Sequence, residues 1–151
     1  MDTKKNLLSI VSKMLLARGE EFEWITMPDR SDEKIGLAYV PFALDTPCSF
    51  MFTEVKSPSS LTLDVLFATR VRPEDYLELG IMLQKLNADQ REGSFVLDVD
   101  AGYVYFRQTL QAEGVELSDA QIAQTIVNME GIGMRTTQVF ARVLAEEFRH
   151  A

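Results

Sequence analysis

Histidine and cysteine are almost missing from this chain of 151 residues, His150 and Cys48 being the single example of each. One cysteine forms no intramolecular disulfide, a usage that fits a reducing compartment. One cysteine and one histidine also fall short of the donor set of a structural zinc site. The imidazole stands beside the C-terminus, where helix ends fray, so histidine-based acid-base chemistry is not expected. Cys48 opens the apolar run Cys48-Ser49-Phe50-Met51-Phe52 without a neighbouring base, as a buried small hydrophobe does and an activated nucleophile does not.

Long hydrophobic runs are absent as well. The longest, Leu77 to Leu86 and Phe95 to Val99, are short or broken by charge, and neither spans a bilayer. The opening Met1-Asp2-Thr3-Lys4-Lys5-Asn6 leads into a stretch carrying Lys13 and Arg18, without the uninterrupted apolar core of a secretion signal. No membrane association and a cytoplasmic location are therefore expected. Positive charge is scarce: 15 basic residues face 23 acidic ones, a net charge of −8. Such a field repels phosphate backbones and anionic lipid, so nucleic acid is not an expected partner, whereas basic or amphipathic protein segments are compatible with it.

What is present suits one folded domain over residues 1–151. Hydrophobic residues make up 46% and charged residues 25%, ordinary globular values that leave little room for a disordered tract. Leu7, Leu8, Ile10, Val11, Met14 and Leu15 recur at helical spacing, predicting a helix from about Thr3 to Arg18 with Gly19 as its stop. Alternation of acidic or polar with apolar residues predicts a short strand from Glu21 to Thr26, ended by Pro28. Three further strands are expected at Ile35 to Phe42, Cys48 to Val55 and Leu61 to Val71.

Pro73, with Glu74 and Asp75 behind it, starts a second helix that ends near Asn87 or Gln90. Gly80 in its middle is expected to mark a close contact. Asp100-Ala101-Gly102 joins strands at Ser94 to Val99 and Tyr103 to Arg107 into a hairpin. Ser118 and Gln121 form a capping box ahead of a third helix, which Gly131 and Gly133 are expected to kink or divide before Val139, Phe140, Val143 and Leu144 continue it. The fold class is α+β, an antiparallel sheet with helices packed on it in the order α-β-β-β-(β)-α-β-β-α-(α).

Motifs that carry chemistry are poorly matched. Asp98, Asp100 and Gly102 begin like a calcium loop, but the glycine falls one place early and no glutamate closes the loop. Gly131-Ile132-Gly133 lacks the third glycine and the preceding strand of a dinucleotide motif. No catalytic residue, cofactor or metal is expected. Arg70, Arg72 and Arg107 stand near strand ends as candidate anion-binding groups, with solvated or ion-paired arginine as the plainer account. Acidic pairs such as Glu20 with Glu21, or Asp29 with Asp32, would serve a hydrolase only if burial separated their pKa values. More weight falls on apolar residues opposite the principal core set, namely Val40, Phe42, Met51, Leu66, Tyr103 and Tyr105. Either helices of the same chain cover that second face, or a twin subunit or client protein does.

The run Asn87, Gly93, Phe95, Leu97, Asp98, Gly102, Val104, Phe106, Arg107 and Leu110 resembles the YbjN-type family of bacterial proteins. The order of elements is similar to the type III secretion chaperone-like fold to which that family is assigned. The resemblance implies a homodimeric, non-enzymatic protein-binding scaffold or regulator, and it transfers no catalytic residue. This chain departs from the pattern by placing four strands rather than three before the second helix, and by the glycines in its last helix. A small-molecule sensor that binds an anion, and an acidic-residue hydrolase, are the alternative functions.

Overall fold

A computed structural model of the protein describes residues 6–27, 34–41, 48–56, 59–114 and 116–147, with the side chains of 27, 34, 56 and 145–147 excepted. The first helix, α1 (Leu7–Ala17), starts where the Asn6 side chain accepts the Ser9 N–H, and it buries Leu7, Leu8, Val11 and Leu15. Glu54 completes the start, its two carboxylate oxygens accepting the N–H groups of Leu7 and Leu8 at 3.0 and 3.2 Å. Gly19 ends the helix at φ +75°, with its N–H and that of Glu20 turned back to the Leu16 and Leu15 carbonyls. The expected start at Thr3 lies outside the described residues.

Four strands follow, β1 (Phe22–Met27), β2 (Lys34–Tyr39), β3 (Cys48–Lys56) and β4 (Ser59–Arg70). β2 stops short of its expected end: Val40 leaves the ladder ahead of Pro41, which has no N–H to pair, and Phe42 lies outside the described residues. A 3-10 turn at Pro73–Asp75 leads into α2 (Tyr76–Ala88), then β5 (Ser94–Asp98), β6 (Tyr103–Gln111) and α3 (Asp119–Glu147). The capping box forms as expected. Ser118 Oγ accepts the Gln121 N–H, and Gln121 Oε1 accepts the Ser118 N–H.

Some glycines behave differently from expectation. Gly131 and Gly133 do not divide the last helix into two, for α3 runs through 29 residues. A Cβ on Gly133 would lie 3.2 Å from Val65 and 3.5 Å from Phe50. This glycine lets the helix backbone press onto the sheet, and helical hydrogen bonding continues through it. At Gly80, where close packing is expected, a Cβ would meet nothing within 4 Å. That residue instead borders a cleft shared with Leu83, Phe95 and Leu97.

The strands form one antiparallel sheet in the order β1-β2-β3-β4-β6-β5. Alternation sorts each strand between two faces. One face carries the row Phe22, Tyr39, Phe50, Val65, Phe106 and Phe95, one residue from each strand. All three helices pack there. Phe140 of α3 touches the rings of Phe67 and Phe95 at 5.5 and 4.6 Å, Gln108 Nε2 donates to the Met129 carbonyl, and Leu79 and Leu83 of α2 join the same buried cluster. At about 25 cal/mol per Å² of apolar surface, that cluster is the main source of stability. None of its members comes from the opposite face of the sheet.

Candidate functional site

The opposite face carries the row Glu23, Ala38, Met51, Asp64, Arg107 and Ser94, with the row Ser49, Leu66, Tyr105 and Val96 beside it. Among the described residues no helix lies on these rows. Met51, Leu66, Tyr103 and Tyr105 are each partly exposed, and strand register brings the last three into one neighbourhood, Leu66 opposite Tyr105 and Arg70 opposite Tyr103. Val40 stands apart from them, 60% exposed just beyond the end of β2. Phe42 is outside the described residues.

Asp64 and Arg107 form the polar centre of this face. Arg107 Nε and Nη2 donate to the two carboxylate oxygens at 2.8 and 3.0 Å, a two-point geometry stronger than a single contact. The Asp64 side chain is 8% exposed, shielded by its strand neighbours and the guanidinium above it. The hydrogen bonds to Asp64 hold the Arg107 pKa above its ordinary value, and the same guanidinium lies 5.0 Å from the centre of the Tyr105 ring. Arg70 lies over Tyr103 at 5.6 Å, while Arg72 pairs with Asp75 at 3.4 Å. Each of the three candidate anion-binding arginines thus already has a partner in its own neighbourhood. Two of them are bound to carboxylates.

A second polar cluster joins residues far apart in sequence. Glu130 of α3, its side chain 4% exposed, accepts from Arg18 Nη2 at 2.8 Å and from the Tyr39 hydroxyl through the same Oε2. Burial, reinforced by the adjacent Glu130 charge, pushes the Tyr39 pKa well above the usual phenol range. The hydrogen bond to Glu130 raises that of Arg18. Glu130 Oε1 and Glu20 Oε1 are buried without a hydrogen-bond partner. Sequence analysis did not single out Glu130, although its spacing from Ile122 and Ile126 puts it on the buried stripe of the helix. A carboxylate at an apolar position was the signal.

Cys48 is buried in the core, and burial pushes its thiol up to about 11, away from the thiolate form that reacts. Among the described residues no three of His, Cys, Asp and Glu stand together as a metal-ligand group. No described helix is long and apolar enough to cross a membrane. Comparison with known proteins finds no matching family model, no matching curated protein and no matching solved structure.

Proposed function

We propose that this protein is a non-enzymatic protein-binding module, chaperone-like or regulatory, that uses the helix-free face of its sheet to hold a client segment or a second copy of itself. The observation that carries the reading is the composition of that face: Met51, Leu66, Tyr103 and Tyr105 remain partly exposed around an Asp64–Arg107 pair whose charges already satisfy each other. Apolar side chains left exposed together are a mark of interaction sites, and tyrosine and methionine are enriched at such interfaces. A paired ion in the middle adds specificity without leaving an unpaired charge to desolvate. The buried, raised thiol of Cys48 and the engaged arginines favour binding over bond-making chemistry. The secretion chaperone-like order of elements and the cytoplasmic setting belong to the same proposal.

Light-scattering mass and affinity capture at physiological salt test it, with Leu66→Glu and Tyr105→Ala as probes of the face. The wild type is expected to form a dimer or retain a specific partner. Both variants are expected to lose that association while keeping the wild-type circular dichroism. A strictly monomeric wild type that retains nothing, or association that survives both substitutions, would count against the proposal.

A further inference from the structure

The chain treats the two edges of its sheet differently. At β5 the Asn87 side chain bonds both the N–H and the C=O of Phe95, and α2 packs alongside. At β1 no described strand pairs with the outer side. A bare edge presents a row of N–H and C=O groups to any extended chain, and proteins commonly blunt an edge that is not used.

The ground beside β1 has a definite chemistry. Trp24 in the strand is 54% exposed, and Leu16 nearby is 66% exposed. A cavity of about 820 Å³ opens where β1 begins; its lining includes Leu16, Phe22 and Tyr39, the three carboxylates Glu20, Glu21 and Glu23, and, where it reaches the helix-free face, Ala38 and Ser49. Two acceptors are left over. Glu20, which lines the cavity, has a buried Oε1 with no hydrogen bond. Glu130, bonded through Oε2 to the cavity-lining Tyr39, has its own Oε1 buried and unpaired. Arg18 is committed to Glu130 Oε2. A buried carboxylate oxygen without a donor is costly, so the Glu20 oxygen calls for a cationic N–H donor.

We propose that β1 accepts an extended basic segment of a partner protein as a seventh strand, with a lysine or arginine of that segment entering the cavity to donate to Glu20. Main-chain bonds along β1 supply affinity, and the alternate side chain in the acidic cavity supplies selectivity. Charge decides the occupant. A second copy of this chain, at net charge −8, would bring its own Glu20, Glu21 and Glu23 towards the same edge, whereas a basic segment complements them. The cavity reaches Ala38 and Ser49 of the helix-free face, so a probe of that face placed on β6, away from the cavity, tells this inference apart from the preceding one.

Trp24, the single tryptophan, provides the readout through its emission. The full chain is titrated with a synthetic peptide alternating lysine and valine, with its glutamate-for-lysine counterpart, and with the lysine peptide N-methylated at alternate residues to remove strand hydrogen bonds. The lysine peptide is expected to shift Trp24 emission to the blue and to bind about tenfold or more tighter than either control, a difference near 1.4 kcal/mol. Glu20→Gln combined with Glu23→Lys is expected to lose about tenfold in affinity at unchanged circular dichroism. Tyr105→Ala, on β6 and away from the cavity, is expected to bind as the wild type does. Equal binding of the lysine and glutamate peptides, indifference to N-methylation, or loss of binding in Tyr105→Ala overturns the proposal. So does self-association that shifts Trp24 emission without peptide, which would assign the edge to a second copy.

Discussion

Asn87 closes the edge of the sheet at Phe95: its Nδ2 donates to the Phe95 carbonyl at 2.9 Å and its Oδ1 accepts the Phe95 N–H at 2.7 Å. One side chain on α2 thus does for β5 what a neighbouring strand would do. Asn87→Ala leaves both backbone groups without a partner, and a loss of about 1 to 3 kcal/mol is expected in urea unfolding. Amide hydrogen exchange at Phe95 should accelerate in the same variant by more than global unfolding accounts for.

Two glycines are expected to respond to alanine with opposite signs. Gly80 lies inside α2 with open space where a Cβ would go, so Gly80→Ala should stabilise by about 0.5 to 1 kcal/mol through helix propensity and a less flexible unfolded chain. Gly93 has φ +80°, and a Cβ there would fall 2.6 Å from Cζ of Phe106, a ring fixed in the core. Gly93→Ala should cost about 2 kcal/mol or more, from combined backbone strain and overpacking. Melting temperatures of the pair check both signs.

Stability is expected to fall in alkali, and Cys48 explains a defined part of the fall. Its thiol rises from 9.0 to about 11 in the folded protein, so the unfolded chain loses that proton first. The contribution is complete below pH 9 and disappears as pH rises to 11, a change of roughly 2 to 3 kcal/mol at 1.36 kcal/mol per unit. Tyr39 acts in the same direction from about pH 10 upward, where the unfolded phenol begins to lose its proton. Urea unfolding of Cys48→Ala across this range should show a shallower decline than the wild type.

Tyr39→Phe removes a hydroxyl that donates to the buried Glu130 carboxylate and leaves Arg18 as its only donor among the described residues. A loss of about 1 to 3 kcal/mol at neutral pH is expected, because the missing bond is charge-assisted and one more lone pair is stranded in the interior. Chemical denaturation compared with Tyr103→Phe, whose ring lies on the helix-free face, is the measurement. Tyr103→Phe should be close to neutral.

Several residues of the Asn87–Leu110 stretch acquire physical roles in the structure. Asp98 Oδ1 accepts the N–H groups of Asp100 and Ala101 across the hairpin turn, Gly102 takes the positive φ that finishes it, and Arg107 pairs with Asp64. Hairpin and turn were readable because glycine and aspartate act on backbone groups only a few residues away. The Arg107–Asp64 pair was not, since the two residues are 43 apart in sequence and meet only through the β4–β6 register. Glu130 was harder still, for its partners Arg18 and Tyr39 belong to other elements.

Local rules therefore carried the element order, the helix ends at Gly19 and Ser118, and the alternation that places Leu61, Leu63 and Val65 on one face of β4. Periodicity says which side chains share a face and is silent about what lies against it. Only the tertiary structure decided that the three described helices take the Phe50 side and none of them the Met51 side, that Gly133 is a contact where Gly80 is not, and that Asn87 covers one edge of the sheet while no described strand pairs with the outer side of β1. Those outcomes depend on distances between segments far apart in the chain, and no spacing within a single segment encodes them.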